Sequence, residues 1–229
     1  MKPLRIPPLI IDIVQSGLLA GEGILFETRN SCPVCGGKLS GYDTKRKQFA
    51  VLLEGNTRHP VHVSVKRFSC RECNTICFAD EPFYPGTRIG SPLIDLCRTL
   101  GATMPFNRVA VNLLHLGIVI DRGTVRNYMH GSYPDITITN LFGISLPLSI
   151  ISLSELAARI GEGSRIPGTE ALAACGFPSA YRAAPDNLLP PEKRNERNEE
   201  KDKEERKTQT PYQYGNRKGT SNQNEAYLP

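Results

Sequence analysis

The sequence predicts an α+β fold: a small β-domain, then three short helices, a short helical extension and a disordered C-terminal tail. Three observations predict it. Two Cys-x-x-Cys pairs, in SCPVCGG at 31–37 and FSCRECNT at 68–75, enclose a stretch whose apolar residues alternate. From residue 91 the apolar period changes from two to about 3.6. From about residue 185 apolar residues give way to charged and polar ones.

Residues 1–24 read as an N-terminal amphipathic helix. Lys2 and Arg5 precede an apolar run, but Pro7, Pro8, Asp12 and Gln15 interrupt it, so neither a signal peptide nor a membrane span is expected. A helix entered at Pro7 and Pro8 would place Leu9, Ile10, Ile13, Val14 and Leu18 at helical spacing.

Residues 25–90 carry the two cysteine pairs. With no secretory signal expected and an odd total of seven cysteines, a disulfide framework is disfavoured and a reducing cytoplasmic setting is the default. There, Cys32 with Cys35 and Cys70 with Cys73 form two tight turns that aim four thiolates at one Zn²⁺ ion, and Gly36 and Gly37 give the first turn its backbone freedom. Between the pairs, two strand-like runs flank a turn at Glu54 to Pro60, and Val61, Val63 and Val65 alternate with His62, Ser64 and Lys66. A third run, TICFADEPFY, follows. This is the layout of a zinc ribbon, whose small core leaves much of the folding free energy to the metal. Cys77 is expected in the core, and His59 and His62 on the surface, because four thiolates already complete a tetrahedron.

Residues 91–131 read as a helix-turn-helix domain. Ser91 is the expected cap of a first helix, with Pro92 at its first position and a stripe of Leu93, Leu96, Cys97 and Leu100. A second helix from about Pro105 presents Phe106, Val109, Ala110, Leu113 and Leu114 and stops at Gly117. Asp121 then caps a third, RGTVRNYMH, with Val125 and Met129 on one face. In a helix-turn-helix the last helix enters the DNA major groove, and its outward residues here would be Arg122, Thr124, Arg126, Asn127 and His130. Arginine pairs with guanine, asparagine with adenine, and threonine meets phosphate or a thymine methyl.

Residues 132–184 are expected to form a small helical hairpin docked on the preceding bundle: one helix capped near Ser152 or Ser154 and ended at Gly161, a second ended at Gly176. Leu153, Leu156, Ala157 and Ile160 would form its packing face, with Cys175 buried. Residues 185–229 are expected to be a disordered tail, since EKRNERNEEKDKEERK balances seven positive against seven negative charges with nothing apolar to anchor it.

Residues 1–130 carry 16 Lys and Arg against 10 Asp and Glu, whereas residues 131–191 carry 3 against 5 and residues 192–229 carry 9 against 8. A zinc held by four thiolates adds about −2, so the excess where the motifs lie is about +4. Lys45, Arg46, Lys47, Arg58, Lys66, Arg67 and Arg71 could give the ribbon a basic face for phosphates.

Taken in order, CPVCGG, a hairpin, RFSCREC, an aromatic-rich strand and VAVNLLHLGIVIDRGTVRNYM resemble the N-terminal DNA-binding region of prokaryotic, including archaeal, insertion-sequence transposases. The resemblance covers residues 25–130. It implies a zinc ribbon preceding a helix-turn-helix that recognises an element's terminal repeats. Such transposases continue into an RNase H-like domain whose carboxylates hold two metal ions. Only about 55 residues separate residue 130 from the tail, and Asp135, Glu155, Glu162, Glu170 and Asp186 lie in no convincing strand, so no catalysis is expected. The expectation is a zinc-dependent protein that binds double-stranded DNA, monomeric or weakly dimeric, away from membranes, in the cytoplasm with the nucleoid. The alternatives are a transcription regulator of the same architecture and a protein-interaction adaptor.

Overall fold

The computed structural model describes residues 6–160 and 165–176, which form a mixed α+β structure. The tail expected at 185–229 lies outside the described residues, as do Glu162 and Asp186.

Helix α1, Pro8–Leu19, starts at the predicted prolines, with Pro7 extended at the cap. Its buried residues are Ile10, Val14, Gly17 and Leu18. Leu9 has the right spacing but turns outward, because neighbouring elements decide which face is covered.

Strands β1 (Leu25–Phe26), β2 (Leu39–Glu54), β3 (Thr57–Cys70) and β4 (Ile76–Phe78) form one sheet. β2 and β3 pair antiparallel from Leu39 opposite Cys70 to Glu54 opposite Thr57, with bulges between Gly41 and Asp43 and between Gln48 and Ala50. Their turn is tighter than predicted: only Gly55 and Asn56 lie between the strands, and Gly55 has a φ of 59°, suited to the first position of a type II′ turn. Val61, Val63 and Val65 are buried and their neighbours half-buried, as the alternation predicts. β1 pairs parallel with β3 at Leu25 and Phe26, and β4 pairs antiparallel with it at Ile76 to Phe78.

Helix α2, Ser91–Gly101, has the predicted stripe but starts one residue early. Gly90, packed against the Phe49 ring, takes the extended cap position, while the Ser91 amide is committed to the Pro82 carbonyl at 2.8 Å. Besides Leu93, Leu96, Cys97 and Leu100 it buries Ile94, Asp95 and Thr99, the pattern of a central helix. Helix α3, Phe106–His115, buries Val109, Ala110 and Leu113, but Leu114 is half exposed, contrary to expectation. The turn at Gly117 has a φ of 76° and joins the hairpin: the Leu53 amide donates to the Gly117 carbonyl at 2.8 Å and the Val119 amide to that of Val51 at 2.9 Å. Helix α4, Arg122–His130, is capped by Asp121 as predicted, with Val125 buried and Met129 packed beside Gly101.

The segment after α4 departs from expectation. Strands β5 (Ile138–Leu141) and β6 (Ile144–Pro147) form a hairpin, and helix α5 (Leu148–Ile160) starts at Leu148 instead of near Ser152. β6 feeds directly into α5, and the Leu148 amide bonds the Thr137 carbonyl at 2.8 Å, so no serine cap is used. The hairpin turn places Phe142 and Gly143 at φ of 53° and 77°. α5 packs mainly on α1, where Gly17 lies against the Ile150 backbone and the Ser16 and Ser154 hydroxyls are 2.7 Å apart. Helix α6, Gly168–Ala174, is capped at Cys175, and Gly176 just beyond it, at a φ of 79°, is the predicted stop.

One continuous buried cluster joins α1, the far half of the β2–β3 hairpin and the helices. The hairpin therefore does not depend on a small core of its own. Phe49 sits at the junction, its ring filling the space left by Gly21 and Gly90 and meeting Phe83 edge-on at 6.2 Å.

Candidate metal centre and nucleic-acid interface

The cysteine turns lie at the open end of the hairpin, one before β2 and the other after β3. Their backbones match residue for residue. The amides of Cys32 and Cys70 donate to the carbonyls of Gly37 and Thr75, and the amides of Gly36 and Asn74 return to those of Cys32 and Cys70. Gly36 and Asn74 both adopt positive φ. In each turn an amide points at the first sulfur, from Val34 to Cys32 and from Glu72 to Cys70, both at 3.5 Å. Glu72 ties the turns together: its carboxylate lies over Gly37 and accepts from the Lys38 amide at 3.4 Å.

The four ligand atoms lie within 4.8 Å of one another, with Cys35 and Cys70 sulfurs 3.4 Å apart and those of Cys32 and Cys73 3.6 Å apart. Sulfurs placed tetrahedrally about 2.3 Å from an ion are about 3.8 Å apart, whereas a disulfide needs about 2.05 Å. The cluster fits a metal and not a pair of disulfides, and these four residues could hold one ion. The donor chemistry agrees with the geometry: four thiols with amide protons directed at two of them suit a thiophilic ion. The Thr75 hydroxyl and amide bring the Cys73 thiol down to about 6. At Cys35 the Gly37 amide lowers the thiol, but hydrogen bonds shared with Cys70 and Cys73 outweigh it and push it up to about 12.

Cys77 is buried in β4 outside this cluster, and desolvation raises its thiol. Cys97 and Cys175 are core residues, as predicted. His59 lies 3.9 Å from Glu54, and His62 bonds Arg46 at 3.0 Å, so neither histidine belongs to the cluster. CPVCGG aligns with CRECNT so that Asn74 stands where Gly36 does, a sequence signal that the cysteine spacing by itself does not carry.

On α4, Arg122, Arg126, Asn127 and His130 are exposed. Thr124 differs: it is half-buried, and both its amide and its hydroxyl are given to the Asp121 carboxylate, so it serves the helix cap. Those bonds hold the Asp121 carboxyl below its ordinary range. The Arg126 guanidinium lies 5.8 Å from the centre of the Phe106 ring.

Of the seven basic residues singled out in the hairpin, half-buried Lys66 lies 3.9 Å from Glu27, and the other six divide into two groups. Lys47 donates to both Glu81 oxygens at 2.8 Å and lies 4.0 Å over Phe83; Arg67 donates twice to Asp43, at 2.6 and 2.5 Å. These two are structural. Lys45, Arg46, Arg58 and Arg71 are exposed. Of the acidic residues singled out in the sequence, Asp135 lies in a loop, Glu155 on α5 and Glu170 on α6.

Among the described residues no helix is long and apolar enough to cross a membrane. No family model, curated protein or solved structure matches the chain.

Proposed function

We propose that the chain is a zinc-dependent DNA-binding protein, a transposase-derived recognition module without strand-transfer activity. The observation that carries this reading is α4: capped by Asp121 and anchored by Val125, it presents Arg122, Arg126, Asn127 and His130 outward immediately after a turn centred on Gly117. In this reading α2, α3 and α4 form the helix-turn-helix and α4 lies in the major groove, where the arginines read guanine or grip phosphate and Asn127 reads adenine.

Zinc is the ion proposed for Cys32, Cys35, Cys70 and Cys73, because a four-thiolate tetrahedron is its common structural site. When bound it cross-links the two cysteine turns. At the other end of the hairpin, Val51 and Leu53 of β2 bond the turn before α4.

The test is recovery and sequencing of host genomic fragments by the purified chain at about 150 mM salt, where non-specific phosphate binding is weak. Enrichment of inverted repeats flanking mobile elements supports the proposal. Enrichment of promoters assigns the chain to transcription regulation instead, and no enrichment by a folded, metal-loaded sample points to a protein partner. Arg122→Ala with Arg126→Ala should weaken specific duplex binding by about tenfold or more per arginine. Unchanged affinity in a folded double variant would remove α4 as the reading helix.

A further inference from the structure

One face of the β2–β3 hairpin is buried through Val61, Val63 and Val65 and continues, by the two-residue alternation, through Arg67 toward the cysteine turns. There it becomes an exposed aromatic and basic surface. Tyr42 is 57% exposed, although a tyrosine ring of this size is ordinarily at least half covered. The bulge between Gly41 and Asp43 takes Tyr42 out of the regular ladder and re-aims its side chain. Arg67 lies between two rings, 5.3 Å from the centre of Tyr42 and 5.9 Å from that of Phe78, and the paired hydrogen bonds it donates to the Asp43 carboxylate fix its guanidinium there. Lys45 stands 6.0 Å from Phe78 on the same face, and Arg71 is exposed in the adjoining cysteine turn.

Asp43 neutralises Arg67, whose part is to position the Tyr42 ring. Lys45 faces the Asp43 and Glu81 carboxylates at longer range, but among the described residues neither its ammonium nor the Arg71 guanidinium is held in an ion pair within 4 Å, so both can turn to a ligand. An exposed ring beside exposed cations matches the chemistry that holds single strands, where aromatic faces stack unpaired bases and cations follow the backbone. A duplex keeps its bases stacked inside and would gain nothing from the ring. Addition of a strand from a protein partner is opposed by the two bulges and by the run Lys45, Arg46, Lys47 along β2, since charges and bulges discourage edge pairing.

We propose that this surface binds single-stranded DNA, with one unpaired base stacked on Tyr42 and the neighbouring phosphates on Lys45 and Arg71. The role goes beyond the duplex reading assigned to α4 and stands or falls separately from it.

The experiment uses the purified full chain, metal-loaded, with a fluorescent oligodeoxythymidine of about 20 nucleotides, long enough to cover a typical single-strand site. A mixed-sequence duplex and the element-end duplex serve as parallel probes. Tyr42→Ala should weaken oligodeoxythymidine binding about fivefold to a hundredfold, the range for one stacked base, while Tyr42→Phe keeps it and both duplexes bind as before. The Arg122→Ala, Arg126→Ala variant should do the reverse, weakening the element-end duplex while oligodeoxythymidine binding stays as in wild type. Failure of that arm alone sinks the α4 reading and leaves this one standing. Equal oligodeoxythymidine binding by wild type and Tyr42→Ala overturns the proposal, as does no binding by wild type. Equal weakening on duplex and single strand also overturns it, and so does displacement of the oligonucleotide by polyglutamate at the same charge concentration, which would make the surface a site for acidic proteins.

Discussion

Gly36 and Asn74 stand at the same place in two equivalent turns, each the fourth residue after a cysteine, with φ of 74° and 55°. Glycine reaches this region without strain and asparagine tolerates it, whereas a β-branched residue does not. Asn74→Gly should therefore keep stability within about 1 kcal/mol of wild type, and Asn74→Val should cost about 1–2 kcal/mol and loosen metal binding. Thermal unfolding with and without added zinc, together with the metal content of each variant, checks both.

Metal removal should loosen one end of the molecule and leave the rest folded. The cysteine turns are held by their own hydrogen bonds, by Glu72, by the Arg71 amide on the Lys38 carbonyl and by Arg29 on the Ser31 carbonyl, all local, but the far half of the hairpin belongs to the core shared with the helices. After chelation the far-ultraviolet helical signal should persist while trypsin gains access to Lys38 and Arg71, both exposed and each beside a cysteine turn. Because thiols must lose protons to bind metal, affinity should rise with pH, and a zinc titration followed at two pH values reads the slope. Loss of the helical signal on chelation would contradict the shared core.

Asp95 should make the protein less stable as pH rises. Burial pushes its carboxyl up to about 6 from an ordinary value of 3.8, against the lowering effects of the Tyr84 hydroxyl, which donates to it at 2.7 Å, and of nearby Arg98. The folded state favours the protonated form, so this contribution is fully present below about pH 4 and is lost as pH passes through about 6. The difference is about 2–3 kcal/mol. Asp95→Asn keeps an acceptor for Tyr84 and should flatten the profile, raising stability at neutral pH relative to wild type. Denaturant unfolding across pH 4 to 8 measures it.

Phe49 fills its site so closely that a methyl group has no room. A Cβ at Gly90 would stand 2.3 Å from the ring and one at Gly21 would stand 2.5 Å from it. Gly90→Ala should cost about 1–3 kcal/mol through overpacking. Combined with Phe49→Leu, the two costs should sum to more than the double variant shows, because the smaller side chain relieves the clash. A double-mutant cycle in urea tests the coupling.

What could be read in the sequence was local. The cysteine turns, the Asp121 cap and the Val61, Val63, Val65 alternation each depend on residues within a few positions of one another, so spacing alone exposes them. What could not be read depends on partners far away in the chain. β1 is two residues long and exists because β3 offers an edge. α5 begins early because β6 delivers the chain already bonded to Thr137, and the turn before it uses Phe142 at a positive φ, where a bulky residue gives no sequence signal. Leu9 and Leu114 show the limit of periodicity: helical spacing places an apolar side chain on a face, but only the neighbours decide whether that face is covered. At the site, exposure on α4 followed from the pattern, while Thr124's commitment to Asp121 is a matter of cap geometry.

The packing of α1 on α5 also sets a timetable for synthesis. Gly17 meets Ile150, a partner made 133 residues later, so at about 5–20 residues per second α1 waits on the order of ten seconds on the ribosome before α5 exists. During that interval Ile10, Val14 and Leu18 need another cover. The β2–β3 hairpin, which α1 also touches in the finished fold, is the first large element to emerge after it. The nascent chain thus passes through a stage in which helix and hairpin shelter each other, and ribosomal pausing before residue 70 would prolong the exposure that chaperones recognise.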